Sequence, residues 1–169
     1  AEAVAQDGVR GQYANGSATQ FVSYEPCLCV GQIPTVADIR GALQFDLSSL
    51  GNRIITGAKL KMKVVDPYSG TDTTTFTVSG STTDTWTKYS GLNLYIPPTP
   101  SETIGTFPYT SKNPIDGAVV EYDVTRFVQA RSAEGAQKVS FVLSCSSTTD
   151  NIVFWRDSTT QLVIDSATL

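Results

Sequence analysis

Lys59, Lys61 and Lys63 alternate with Leu60, Met62 and Val64. In an extended strand alternate residues share a face, so this spacing lines three ammonium groups along one side, about 7 Å apart. Such a row suits an extended acidic sugar chain or a run of sulfates. The competing and more ordinary reading is a solvent-facing strand kept soluble by lysine, a common defence of sheet edges. Aromatic side chains offer a second route to sugar, whose C–H faces stack on flat π surfaces. Trp86, Tyr89 and Tyr95 form the main group, with Tyr13, Tyr68 and Tyr109 also in or near loops; packing beneath a loop competes with stacking at each of them. Phe45, Phe141 and Phe154 alternate with polar residues and are assigned to the core.

Other chemistries find little to work with. The chain has no histidine, so the commonest general base is missing and no Ser-His-Asp or Cys-His arrangement can be built. Glu121 and Asp123 sit on one strand face about 7 Å apart, but a turn-forming Asp beside a solvated Glu accounts for them better than a glycosidase pair. No enzyme is expected. A net charge of −4 argues against nucleic acid, which is bound by clustered Lys and Arg. No apolar run approaches the ~20 residues of a membrane span. The three cysteines leave at least one thiol unpaired or intermolecular. Cys27-x-Cys29 has the wrong spacing for a zinc ribbon. The cysteines read either as buried small hydrophobes or as one bridge from Cys27 or Cys29 to Cys145, with Cys29–Cys145 the leading pair; an extracellular setting favours the bridge. A structural calcium ion could use Asp66, Asp72, Asp84, Asp116 or Asp150, although no spacing matches a defined calcium loop and turn formation explains Asp116-Gly117 equally well. Asn15-Gly-Ser17 is a formal glycosylation sequon that Asn-Gly turn chemistry also explains.

The elements that must position these residues are mostly strands. Alternating runs fall at 20–24, 27–30, 40–45, 58–65, 73–79, 119–123, 138–144, 151–155 and 160–165, punctuated by Gly, Pro, Asn, Asp and Ser. Only 124–133 reads as a helix, with Val124, Phe127 and Val128 on one side. Pro97, Pro98, Pro100 and Pro108 break 92–116, which is expected to be a long irregular crossing. Twice a strand ends in an aromatic and an Asp before a short helical turn: Phe45-Asp46 and Tyr122-Asp123. Each carboxylate can accept the free N–H groups of its turn, as an N-cap does, so Asp46 and Asp123 are read as structural turn caps. The expectation is one domain, 1–169: an all-β, antiparallel two-sheet β-sandwich of the jelly-roll kind, with eight to ten strands and one short helix. No basic segment followed by an apolar one opens the chain, and Ala1, Ala3 and Ala5 suit a mature terminus left after a secretory signal is removed.

Several segments together resemble the jelly-roll domains of the DNRLRE type, secreted bacterial and archaeal modules that include carbohydrate-binding module family 96. They are Val9-Arg-Gly-Gln-Tyr-Ala-Asn-Gly-Ser17, Ala42-Leu-Gln-Phe-Asp-Leu-Ser-Ser-Leu50, Thr56-Gly-Ala-Lys-Leu-Lys-Met-Lys-Val64, Ser81-Thr-Thr-Asp-Thr-Trp-Thr87, 120–130, Val139-Ser-Phe-Val-Leu143 and Ile152-Val-Phe-Trp-Arg-Asp157. Gln12 stands where the family has a second glycine, Trp155 where it has a serine, and 92–113 has little family likeness. The resemblance implies a jelly roll and a non-catalytic, extracellular carbohydrate-binding module. With the lysine row it favours an acidic, alginate-like polysaccharide as partner, bound by Lys59, Lys61, Lys63, Trp86, Tyr89 and Tyr95. The alternative is a structural jelly-roll subunit of a fibre, surface layer or virion, self-assembling through loops, with 92–113 reaching a neighbour.

Overall fold

In the computed structural model, which describes residues 2–14, 27–33, 37–51, 53–63, 74–82, 87–90, 93–96, 101–109, 119–145, 151–155 and 160–168, alternation becomes two stacked sheets. The smaller sheet is built from β1 (Glu2–Val4), β5 (Ile54–Lys63), β10 (Val119–Asp123) and β13 (Gln161–Ala167), in the order β1-β13-β5-β10. The larger one contains β2 (Gln6–Ala14), β3 (Cys27–Ile33), β4 (Ala37–Asp46), β6 (Thr74–Ser81), β7 (Thr87–Ser90), β8 (Asn93–Ile96), β9 (Glu102–Tyr109), β11 (Lys138–Cys145) and β12 (Asn151–Trp155). Its order is β7-β8-β2-β4-β11-β6-β9, with β3 joined to β4 and β12 to β3. Neighbours that are distant in sequence, such as β5 with β13 and β4 with β11, are the crossings that jelly-roll topologies require. Among the described residues pairing is antiparallel except at one position, where Gln12 of β2 meets Asn93 of β8 in parallel.

The helix expected at 124–133 is α1, Thr125–Ala133. Among the described residues the strands number thirteen rather than eight to ten. Part of the difference lies in 92–116, expected to be irregular, whose described residues include the strands β8 and β9. Pro108 is tolerated because β9 ends the strand order beyond β6, and an edge strand need not donate every N–H. This part of the insert is therefore committed to the chain's own sheet. The run at 20–24 lies outside the described residues.

One face of each sheet closes on the core. Leu43 and Phe45 of β4, Val78 of β6 and Val139, Phe141 and Leu143 of β11 meet Leu60 and Met62 of β5 and Leu162 and Ile164 of β13. Phe141 is the hub: its ring lies 6.2 Å from Phe45 and 5.7 Å from Phe127 of α1, both tilted well away from parallel. Edge-on and tilted pairs are the favoured aromatic geometries. Phe127 can reach this position because Gly80 of β6 presents no side chain beneath it.

The reverse faces differ. On the larger sheet Ala42, Gln44, Ser79, Ser81, Ser140 and Val142 are also buried. The reverse face of the smaller sheet stays open around Glu2, Lys59, Glu121, Asp123 and Asp165. Among the described residues no helix is long and apolar enough to cross a membrane.

Candidate functional site

The open face is organised by β5. Its residues alternate so that Ala58, Leu60 and Met62 are buried while Lys59 is exposed and Lys61 and Lys63 are half-exposed. The three lysines thus share one face. β5 lies between β13 and β10, so the row does not defend a sheet edge; its solvent-facing position fits both a soluble outer face and a binding face.

Cross-strand neighbours share a face, and the register fixes what surrounds each lysine. Asp123 of β10 lies opposite Lys59, Glu121 opposite Lys61 and Val119 opposite Lys63. On the other flank, Asp165 of β13 is opposite Gly57, and Glu2 of β1 is opposite Asp165. On that flank Val163 lies opposite Lys59 and Gln161 opposite Lys61, so the face mixes ammonium and carboxylate groups with uncharged side chains. Lys61 and Glu121 make an ion pair at 3.3 Å, while Lys63 has no ion pair among the described residues. Surface pairs of this kind contribute ~0–1 kcal/mol each, so they hold the lysines loosely. Glu2, Gly57, Lys59, Lys61, Asp123 and Asp165 line a notch of about 260 Å³ in this face.

The two Asp turns frame one end of the sandwich. Asp46 Oδ1 accepts the N–H of Ser48 at 2.7 Å. Asp123 Oδ1 accepts both the hydroxyl of Thr125 at 2.6 Å and its N–H at 3.0 Å. Each carboxylate serves the residue two positions on, as in an Asx turn. The N-cap positions proper are Leu47 and Val124, neither with a side-chain cap. Both buried residues instead send their N–H to a distant carbonyl, Leu47 to Gln137 and Val124 to Ala58. The hydroxyl and then the N–H of Ser48 hold the Asp46 carboxyl below the usual range. Those of Thr125, then the charge of Lys59, do the same for Asp123.

Thr125 also ties α1 to β5. Its hydroxyl oxygen accepts the N–H of Ala58 at 2.9 Å and lies 3.3 Å from the Ala58 carbonyl. Gln129 adds a bond to the Ile55 carbonyl at 2.8 Å. Beside this junction runs a groove of about 860 Å³ between α1 and β9, lined by Glu102, Thr103, Ile104, Arg126, Phe127 and Ala130 among others.

Lys59, Lys61 and Lys63 are therefore brought together, with Asp123 among them. Tyr89 and Tyr95 belong to β7 and β8 in the other sheet; their side chains, and the whole of Trp86, lie outside the described residues. So do the five candidate calcium ligands. Among the described residues no cluster of acidic or thiol groups is suited to a metal. Cys29 stands opposite Val153 and Cys145 opposite Phe76 in the backbone register, while their side chains lie outside those described. Sequence reasoning missed Thr56, Glu102, Thr103 and Arg126. They come from β5, β9 and α1, and no local spacing links them.

Glu121 and Asp123, the only strand-spaced acidic pair weighed for catalysis, each have another engagement, with Lys61 and Thr125 respectively. A search of curated proteins finds no match to this chain. The profile of carbohydrate-binding module family 96 matches residues 14–166, a span that begins at the last residue of β2 and takes in all of β5, β10 and α1 and nearly all of β13. Modules of this kind are typically non-catalytic carbohydrate binders, and with a match that runs almost end to end, the chain belongs to carbohydrate-binding module family 96.

Proposed function

We propose that this domain is a non-catalytic extracellular module that binds acidic polysaccharide on the open face of the β1-β13-β5-β10 sheet. Family membership supports carbohydrate as the ligand, and the resemblance to secreted modules supports the extracellular setting. The observation that carries the acidic preference is the row of Lys59, Lys61 and Lys63 on an interior strand whose outer face is open. A uronate ring offers one carboxylate and several hydroxyls. Lysines suit the first, and the interleaved Glu2, Asp123 and Asp165 can accept from the second. A single exposed ion pair is worth only about 1 kcal/mol in water, so useful affinity comes from a row engaging a repeating ligand.

Affinity electrophoresis through alginate, pectin, xylan and cellulose tests this. Retardation by the acidic gels is expected to fade with added salt, because exposed charges are screened beyond a Debye length of roughly 8–10 Å. The K59A/K61A/K63A variant is expected to migrate freely. Retardation by neutral gels alone removes the acidic preference, and retardation by none removes the reading.

A further inference from the structure

The notch on the lysine face and the groove beside α1 share Thr56, Asp123 and Thr125. The two depressions thus adjoin across a rim of two hydroxyl side chains and one carboxylate. Thr125 anchors that rim by engaging Oδ1 of Asp123, which leaves the second carboxylate oxygen available to a sugar hydroxyl.

The groove beyond has the makeup of a ligand site. At about 860 Å³ it falls within the ~300–1,000 Å³ of typical small-molecule pockets. Its inner wall includes buried Phe127 and half-buried Ile104, while Glu102, Thr103 and Arg126 are exposed. Apolar floor and polar rim match the C–H face and hydroxyl edge of a sugar ring. Ile104 sits at an irregularity in β9, since Ser79 pairs with Thr103 and Val78 with Gly105, leaving it as the extra residue. A bulge bends its strand and re-aims the extra side chain. Arg126 has no ion pair among the described residues, and its guanidinium fork matches a carboxylate in two-point geometry.

We infer that a bound acidic polysaccharide does not stop at the lysine face. It crosses the Thr56/Asp123/Thr125 rim and continues into the groove, where Arg126 receives the carboxylate of a further sugar unit. This extension rests on the reading above. The seven residue steps from Lys63 to Thr56 span roughly 23 Å along β5, and the groove lengthens the track further. Affinity then grows with chain length, and only long ligands feel Arg126.

The test is titration calorimetry with polyuronate oligosaccharides of increasing length, from disaccharide to octasaccharide, against the intact domain and its variants. Arg126→Ala is expected to leave the affinity of the shortest binding oligomer unchanged and to weaken the longest roughly fivefold, as for loss of one exposed ion pair. Ala130→Glu, which puts a carboxylate into the groove, is expected to act the same way. Both positions are exposed, so melting temperatures should match the parent and separate binding from folding. K59A/K61A/K63A is expected to weaken every length. If Arg126→Ala and Ala130→Glu bind all lengths as the parent does, the extension falls while the lysine-face site stands. An equal loss at every length also overturns it, because the groove would then be the primary site. If the parent binds none of the oligomers, the lysine-face site itself falls and the extension with it.

Discussion

Gly80→Ala isolates the contact that joins helix to sandwich. Gly80 pairs with Phe141 on one side and Glu102 on the other, so it sits mid-sheet beneath Phe127. A Cβ added there would lie 2.4 Å from Cε1 of Phe127, 2.5 Å from Cζ and 2.6 Å from Cδ1. Carbon atoms settle at about 3.5–4.0 Å, so the ring must retreat by roughly 1 Å or more. It has little room, being only 5% exposed and packed against Phe141. Overpacking of a close-packed core costs about 1–3 kcal/mol. For a domain of this size each kcal/mol moves the melting temperature by roughly 2–4 °C, which places the expected drop near 6 °C. Thermal unfolding followed by circular dichroism reads it directly. Phe127→Leu is itself destabilising through lost burial, but it removes the obstructing ring. Gly80→Ala introduced into that background is expected to cost less than half its penalty in the parent, a non-additivity expected of residues in contact. An unchanged melting temperature for Gly80→Ala, or an equal penalty in both backgrounds, would refute the steric account.

Glu121→Gln is expected to change stability by less than about 1 kcal/mol while strengthening retention in alginate gels, because Lys61 loses its competing carboxylate; weaker retention would mean that Glu121 itself contacts the ligand. Asp46→Ala and Asp123→Ala should each destabilise by roughly 0.5–1 kcal/mol, measured by urea unfolding. Both carboxyls are held below the usual range, so the folded chain binds fewer protons than the unfolded one. Their contribution is complete above the unfolded value of about 3.9 and is lost as pH falls below it. The double variant should therefore lose stability less steeply than the parent below about pH 4, and identical slopes would contradict the capping geometry. Gly105→Ala would bring a Cβ to 2.8 Å from the Tyr122 ring. Tyr122 is only half-buried and can yield, so the melting temperature should fall less than for Gly80→Ala; an equal or larger drop would show that the ring is locked.

The elements legible in sequence were those with alternating runs: β3, β4, β5, β6, β10, β11, β12 and β13 came through within a few residues of their ends. In β5 that periodicity records one buried face; in β4 and β11 both faces are buried, and the alternation sets large apolar residues toward the core against smaller or polar ones on the reverse. β1, β7 and β8 are three or four residues long, too short to carry a period. β9 is interrupted by Gly105 and Pro108, which read as breakers until the edge position that tolerates them is known. The lysine row was visible, but its surroundings were not. Whether β5 is an edge or an interior strand depends on residues 119–123 and 161–167 arriving beside it. The Asp turns were recognised from the repeated aromatic-Asp spacing, whereas the groove joins three elements distant in the chain and leaves no local mark.

The stitching of α1 to β5 also dictates an order of events as the chain folds. Its bonds reach partners 67 and 74 residues earlier, and nine residues are below the ~12–15 at which an isolated helix begins to persist. The helix is therefore expected to form only after β5 and β10 have met. At ~5–20 residues per second of synthesis, β5 waits several seconds or longer for both of its neighbours. Throughout that interval its apolar face, with Ala58, Leu60 and Met62, lacks the sheet partners of the finished domain. Charged residues flanking an apolar strand act as gatekeepers against aggregation. The same ammonium groups that face outward in the finished domain thus guard the unfinished one, keeping a waiting strand from pairing with another nascent copy.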